Sequence, residues 1–238
     1  MEEQKQFSNL TPPDLVAYAT EKDQATFYKH TYGHVAGGIL AFIIIEAMML
    51  QSEALVNFML GLTEGYLWLV LLGGFMAVTW FAQSMANNAV SKPKQYAGYL
   101  LYIIAEALIF VPLLYYAIYF SGGLYMIQQA AIVTLALFIG LSAIVFVTRA
   151  DFSILRGALT VGFFLAIGLI VAGMIFGFDL GLWFSVLMCA LAGGAILYNT
   201  HSLKFQYAQD QYVPAALSLF ASLMLLFWYV LRIFMSRD

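Results

Sequence analysis

One carboxylate stands deep in an apolar run of this chain: Glu106, within Tyr102-Ile103-Ile104-Ala105-Glu106-Ala107-Leu108-Ile109-Phe110-Val111-Pro112. Ionisable groups at membrane depth are costly, and those that persist mark ion pathways or proton relays. Two roles fit it. Glu106 is either a proton-binding or cation-coordinating group on a pathway, or a protonated acid that donates to a carbonyl or to Tyr102, one turn before it. Glu46 lies close to the end of its own apolar run, where a long side chain can reach the headgroups, so it reads as a boundary residue. His30 and His34 are one turn apart, and His201 follows far down the chain. Two histidines at that spacing can hold a metal, but a catalytic zinc needs a third protein ligand and an open position, and no HExxH pattern completes one. Neither a metal nor a cofactor is expected. Imidazole changes charge near neutral pH, which makes His34 and His201 candidate proton sensors beside their plainer role as interfacial polar caps. Enzyme chemistry finds no support: there is no GxSxG, no Walker-type glycine loop and no pair of acids at protease-like positions, and Asp151 and Asp179 fall in loops. Cys189 is the only cysteine, which excludes an intrachain disulfide and a thiolate metal cage.

The elements that must position these groups are membrane helices. The chain is 63% hydrophobic and 10% charged, whereas a soluble domain has roughly 45–50% and about 25%. No polybasic run exists, so nucleic acid is not an expected partner; the lipid bilayer is. Seven apolar runs, each near the roughly 20 residues needed to cross about 30 Å of hydrocarbon, fall at about 31–51, 66–87, 98–120, 124–147, 153–177, 180–200 and 212–235. The fold class is therefore an all-α membrane protein of seven transmembrane helices. Residues 1–28 form a short cytoplasmic segment without the basic start and apolar core of a signal peptide, with a brief helix from Asp14 to about Lys29; residues 29–238 form the transmembrane domain. Lys5, Lys22, Lys29, Lys92, Lys94, Arg149, Arg156 and Lys204 fall at alternate ends of successive runs, which predicts a cytoplasmic amino terminus, with Arg232 and Arg237 on the opposite side. Close helix packing in lipid needs small residues. Gly33 and Gly37, Gly73 and Ala77, and Gly173 and Gly177 have the four-residue spacing for it, and Ala215, Ser218 and Ser222 share one face of the last helix.

Three segments carry a resemblance to a known family. Lys29-His30-Thr31-Tyr32-Gly33 opens the first run, Thr148-Arg149-Ala150-Asp151-Phe152-Ser153-Ile154-Leu155 precedes the fifth, and Tyr198-Asn199-Thr200 with Ser218-Leu219-Phe220-Ala221-Ser222 marks the closing pair. Together they resemble the Bax inhibitor-1 family over about residues 25–238. That resemblance implies a bundle of seven helices with six around a central one, and a slow cation leak, Ca²⁺ in particular, with stress modulation. In many relatives a facing acidic pair couples the leak to pH. Here those positions are the uncharged Asn199 and Ser222, so the resemblance implies an ion pathway or gate at Glu106, Asn199 and Ser222 without the acidic sensor. A bacterial subgroup with a non-acidic final helix is similar to this chain. That likeness implies a multi-pass protein of the bacterial inner membrane and, as the alternative function, a non-conducting regulator that binds and restrains a membrane-anchored, FtsH-like protease.

Overall fold

The computed structural model describes residues 15–88, 91–148 and 150–236. The expectations attached to Lys5, Asp14, Arg149 and Arg237 lie outside them. Among the described residues the regular structure is helical, apart from one isolated antiparallel bridge between Leu15 and Ala208. Seven helices are long and apolar enough to cross a membrane. They are α1 (Glu21–Met49), α3 (Leu67–Ala86), α4 (Lys92–Phe120), α5 (Gly123–Val147), α6 (Leu155–Phe176), α7 (Gly181–Phe205) and α8 (Tyr212–Met235). Between the first two lies α2 (Glu53–Gly61), whose nine residues are too few to span. The protein is an all-α, multi-pass membrane bundle.

Local chemistry sets the helix ends. Thr20 caps α1: its hydroxyl oxygen accepts from the Asp23 amide at 3.3 Å and its proton goes to the Asp23 carboxylate at 2.6 Å. Glu21 and Asp23 occupy the first turn, at the positive end of the helix dipole. Among the described residues no separate α-helix therefore precedes the first span. Residues 21–29 are its first turns, and a 3₁₀ turn over Val16–Tyr18 comes before it. That turn is pinned to the bundle. The Val16 amide donates to the Tyr207 carbonyl at 3.0 Å, and the Val16 side chain is fully buried. α4 begins at Lys92, six residues before the apolar run, because Pro93 suits the first turn of a helix and its polar neighbours carry the helix out of the hydrocarbon. α6 closes at Gly177 in the left-handed conformation (φ 71°), whose amide donates to the Gly173 carbonyl at 2.8 Å.

Burial identifies the axis. α4 and α8 each bury fourteen residues, whereas α6 buries only Ala166 and Gly173. α8 packs against α1, α3, α4, α5 and α7, so the last helix is the central one, and α6 leans chiefly on α7. The glycine spacings identify the contacts poorly. A Cβ added at Gly33, Gly37, Gly73 or Gly177 would meet nothing within 4 Å, so these positions face open space rather than a packed neighbour. The close approach of one helix backbone to another is at Gly98 instead: a Cβ there would fall 2.6 Å from the Ala86 amide nitrogen and 2.9 Å from Met85. Backbone contact between α3 and α4 depends on its bare Cα.

Helix direction and side-chain contacts collect Lys22, Lys29, Lys92, Lys94, Arg156 and Lys204 at one end of the bundle, while Arg232 lies in the last turn of α8 at the other. Lys92 ties that basic end together. Its ammonium donates to the Asp210 carbonyl, lies 3.9 Å from the Asp210 carboxylate and sits 4.4 Å from the centre of the Tyr212 ring.

Candidate functional site

α7 and α8 bring Asn199 and Ser222 into direct contact. The Asn199 amide donates to Ser222 Oγ at 2.6 Å and to the Ser218 carbonyl at 3.1 Å. Ser222 gives its own proton to the Ser218 carbonyl at 2.9 Å, so the group facing it on Asn199 has to be the NH₂. Ser218 in turn donates to the Pro214 carbonyl at 3.1 Å, with the Tyr207 hydroxyl 3.0 Å from its oxygen. Small side chains make this possible, since Ala215, Ser218 and Ser222 leave room on one face of α8 for an amide from α7. The result is a continuous hydrogen-bonded seam that contains no charge.

Above the seam lies a cavity of about 760 Å³ between α3 and α6, floored by α4, α7 and α8. It exists because α6 does not close against α3. Most of its wall is apolar, with Phe75, Phe110, Ile170 and Trp228 among the lining residues. Its polar groups include Glu106, Tyr102, Thr79, Gln83 and Ser222, with Asp179, Tyr229 and Arg232 toward the end opposite the lysines. Glu106 is buried (6% exposed) at the midpoint of α4, fourteen residues from either end, and Tyr102 is within hydrogen-bonding reach of it. Ser222 is ten residues before Arg232 on α8, or about 15 Å along the axis at 1.5 Å per residue. Half of a hydrocarbon core of about 30 Å is the same depth. Glu106 and Ser222 thus share one cavity at mid-membrane, and Asn199 stands behind Ser222 on the seam side.

The histidines occupy the basic end, away from this cavity. His34 Nδ1–H donates to the His30 carbonyl at 2.6 Å, so in the neutral ring Nε2 accepts from the Tyr96 hydroxyl at 3.0 Å. Both nitrogens are engaged, which leaves no free electron pair for a metal shared with His30. His201 Nε2 lies 3.3 Å from Asp151 Oδ1, and its buried Nδ1 has no partner among the described residues. Asp151 does not cap α6, which starts at Leu155 behind Ile154. It accepts from the Ser153 amide at 2.9 Å and so closes the turn ahead of that helix. The Ser153 amide, the Ser153 hydroxyl and then His201 hold the Asp151 carboxyl below the usual carboxylate range.

Glu46 is the group that sequence reasoning misplaced. It is 4% exposed, and neither carboxyl oxygen has a partner among the described residues. Its position near the end of a run suggested snorkelling, but it lies on the buried face of α1 with Thr31, Val35, Gly38 and Phe42, at spacings of three and four residues. That periodicity was the available signal.

Comparison with known proteins agrees with this architecture. The sequence profile described as "Inhibitor of apoptosis-promoting Bax1" matches residues 24–238. The Pseudomonas aeruginosa protein PA2604 is 26% identical over 231 residues, covering 92% of each chain. Mouse protein lifeguard 4 is 31% identical over 112 residues, 45% of this chain and 46% of its own. The Neisseria meningitidis protein NMA0420 is 29% identical over 133 residues, 53% of this chain and 56% of its own. With the profile covering nearly the whole described bundle, the chain belongs to the Bax inhibitor-1 family.

Proposed function

We propose that this protein carries a slow leak of cations, Ca²⁺ among them, along the cavity between α3 and α6. Glu106 is the coordinating carboxylate, and the seam of Asn199, Ser222 and Ser218 is the closure. One observation supports this reading above the rest: a buried carboxyl and a seam hydroxyl line the same cavity at mid-membrane, and beyond the hydroxyl the polar groups are bonded to one another. A cation leaving water needs oxygen ligands to replace its hydration shell, and a carboxylate at this depth supplies the strongest. The seam holds the path shut by hydrogen bonds between neutral groups, which fits a leak rather than an open pore. His34 and His201, both at the basic end, are the groups that would confer any proton dependence. The basic end is the cytoplasmic one on this reading, since eight of the ten Lys and Arg residues are assigned to it from the sequence.

The test is Ca²⁺ entry into liposomes that hold the purified protein and an internal indicator, against protein-free liposomes. Entry at the protein-free rate would overturn the conducting reading. The regulatory alternative then becomes the account to pursue, by crosslinking in membranes and capture of a membrane-anchored protease.

A further inference from the structure

A second cavity, unrelated to the conduction path, opens on the outer face of α1. It is a groove of about 600 Å³ between α1 and α4, lined by Lys29, His30, Gly33, His34, Gly37, Gly38, Tyr96, Tyr99, Leu100 and Ile103. Its depth comes from Gly33 and Gly37, at which an added Cβ would meet nothing within 4 Å. Its chemistry is layered along the membrane normal. At the basic end stand the Lys29 ammonium and the His30 imidazole, both exposed, with the Tyr96 hydroxyl across from them on α4. Among the described residues no carboxylate pairs with Lys29, since the ion pairs there are those of Lys92 with Asp210 and His201 with Asp151. Next come the bare glycines. After them the surface is apolar: Leu100 is half exposed, and Leu40 and Ile44 on α1 are 62% and 60% exposed.

We propose that this groove is a binding site for one anionic phospholipid, with the phosphate at Lys29 and His30 and an acyl chain lying over Gly33 and Gly37. His30, Gly33, Gly37, Leu40 and Ile44 follow one another at three- and four-residue steps, so they form a single track along α1. From His30 to Leu40 the track is ten residues, about 15 Å at 1.5 Å per residue, which matches one leaflet of a hydrocarbon core of about 30 Å. A cation at the polar end and a channel without side chains below it complement a phosphate and its tail. A packed partner helix is the poorer occupant, because it would cover the Lys29 ammonium with no counter-charge, and an unpaired buried charge is strongly unfavourable. His34 shapes the wall but does not bind the phosphate, since its two ring nitrogens are taken by the His30 carbonyl and Tyr96.

Native mass spectrometry of the purified full chain, offered equal amounts of dioleoyl phosphatidylglycerol and dioleoyl phosphatidylcholine, tests this. The wild type retains one phosphatidylglycerol in preference to phosphatidylcholine, and excess inorganic phosphate does not displace it. Lys29→Gln weakens that retention about fivefold, as expected for one lysine at an anionic surface. Gly33→Leu and Gly37→Leu fold normally, because the added atoms enter open space, yet lose retention by filling the tail channel. Equal retention of the two lipids, displacement by free phosphate, or undiminished phosphatidylglycerol binding in Gly37→Leu would each overturn the proposal. So would efficient disulfide crosslinking of Gly33→Cys chains in native membranes, which would mean that a helix of a second copy covers the groove.

Discussion

Replacing Asn199 by alanine probes the closure directly. The change removes two donations, to Ser222 Oγ at 2.6 Å and to the Ser218 carbonyl at 3.1 Å, and leaves the Ser222, Ser218 and Pro214 bonds within α8 in place. Each neutral hydrogen bond contributes about 0.5–1.5 kcal/mol net, so the seam between α7 and α8 loses about 1–3 kcal/mol. If those bonds bias the equilibrium toward the closed arrangement, the open fraction rises roughly 5- to 150-fold. The assay is the initial rate of Ca²⁺ entry into liposomes at matched protein content, with a melting curve measured alongside. Neither an amide nor a hydroxyl titrates in the neutral range, so the rise is the same at about pH 6 and about pH 8. Asn199→Asp combined with Ser222→Asp, by contrast, introduces a pH-dependent step. An Asn199→Ala protein that melts at lower temperature but leaks at the wild-type rate would refute the reasoning: the seam would then hold helices together without gating anything.

Three further outcomes follow from the same geometry. Single cysteines introduced at Glu64 and Gly122 react with an impermeant thiol reagent from outside intact cells, and labelling only after lysis would reverse the assigned orientation. Asp151→Asn lowers the melting temperature at neutral pH. Because the Asp151 carboxyl is held below its ordinary value, its stabilisation is present while it is ionised and fades as pH falls through that lowered value. The gap between variant and wild type therefore closes on acidification below about pH 4, and a gap that persists there would assign the turn to something other than this carboxylate. Gly98→Ala forces α4 off α3 and costs about 1–3 kcal/mol as overpacking, read as a lower melting temperature, whereas Gly73→Ala, facing open space, leaves it unchanged.

Much of the bundle is legible in the sequence because lipid imposes length and apolarity on every crossing segment, and each of the seven spans lies where its apolar run does. What hydropathy does not report is helix outside the hydrocarbon. The starts of α1 at Glu21 and α4 at Lys92 depend on a threonine cap and an early proline, and α2 is apolar yet too short to register as a crossing. Small-residue spacing says that two helices could approach, not which face is occupied. Gly37 borders an open groove, while Gly38, one residue on, lies against Tyr99 and Phe220. Glu106 is recognisable as a site candidate from its depth alone. Its company is not: Tyr102 follows from helix periodicity, but Ser222 and Asn199 are more than ninety residues away, and only the assembled helices bring Glu106 and Ser222 to one cavity. Glu46 shows the converse, since distance along a helix gives depth without giving the face.

Passage of cations by Glu106 is tested most directly by Ca²⁺ entry through Glu106→Gln beside the wild type, in liposomes of the same composition and protein content. The substitution keeps the shape of the side chain and its hydrogen bonding toward Tyr102 while removing the carboxylate that would hold a cation at mid-membrane. If cations pass this carboxylate, entry falls toward the protein-free rate while the melting temperature stays close to that of the wild type. Undiminished Ca²⁺ entry by well-folded Glu106→Gln protein would contradict passage there.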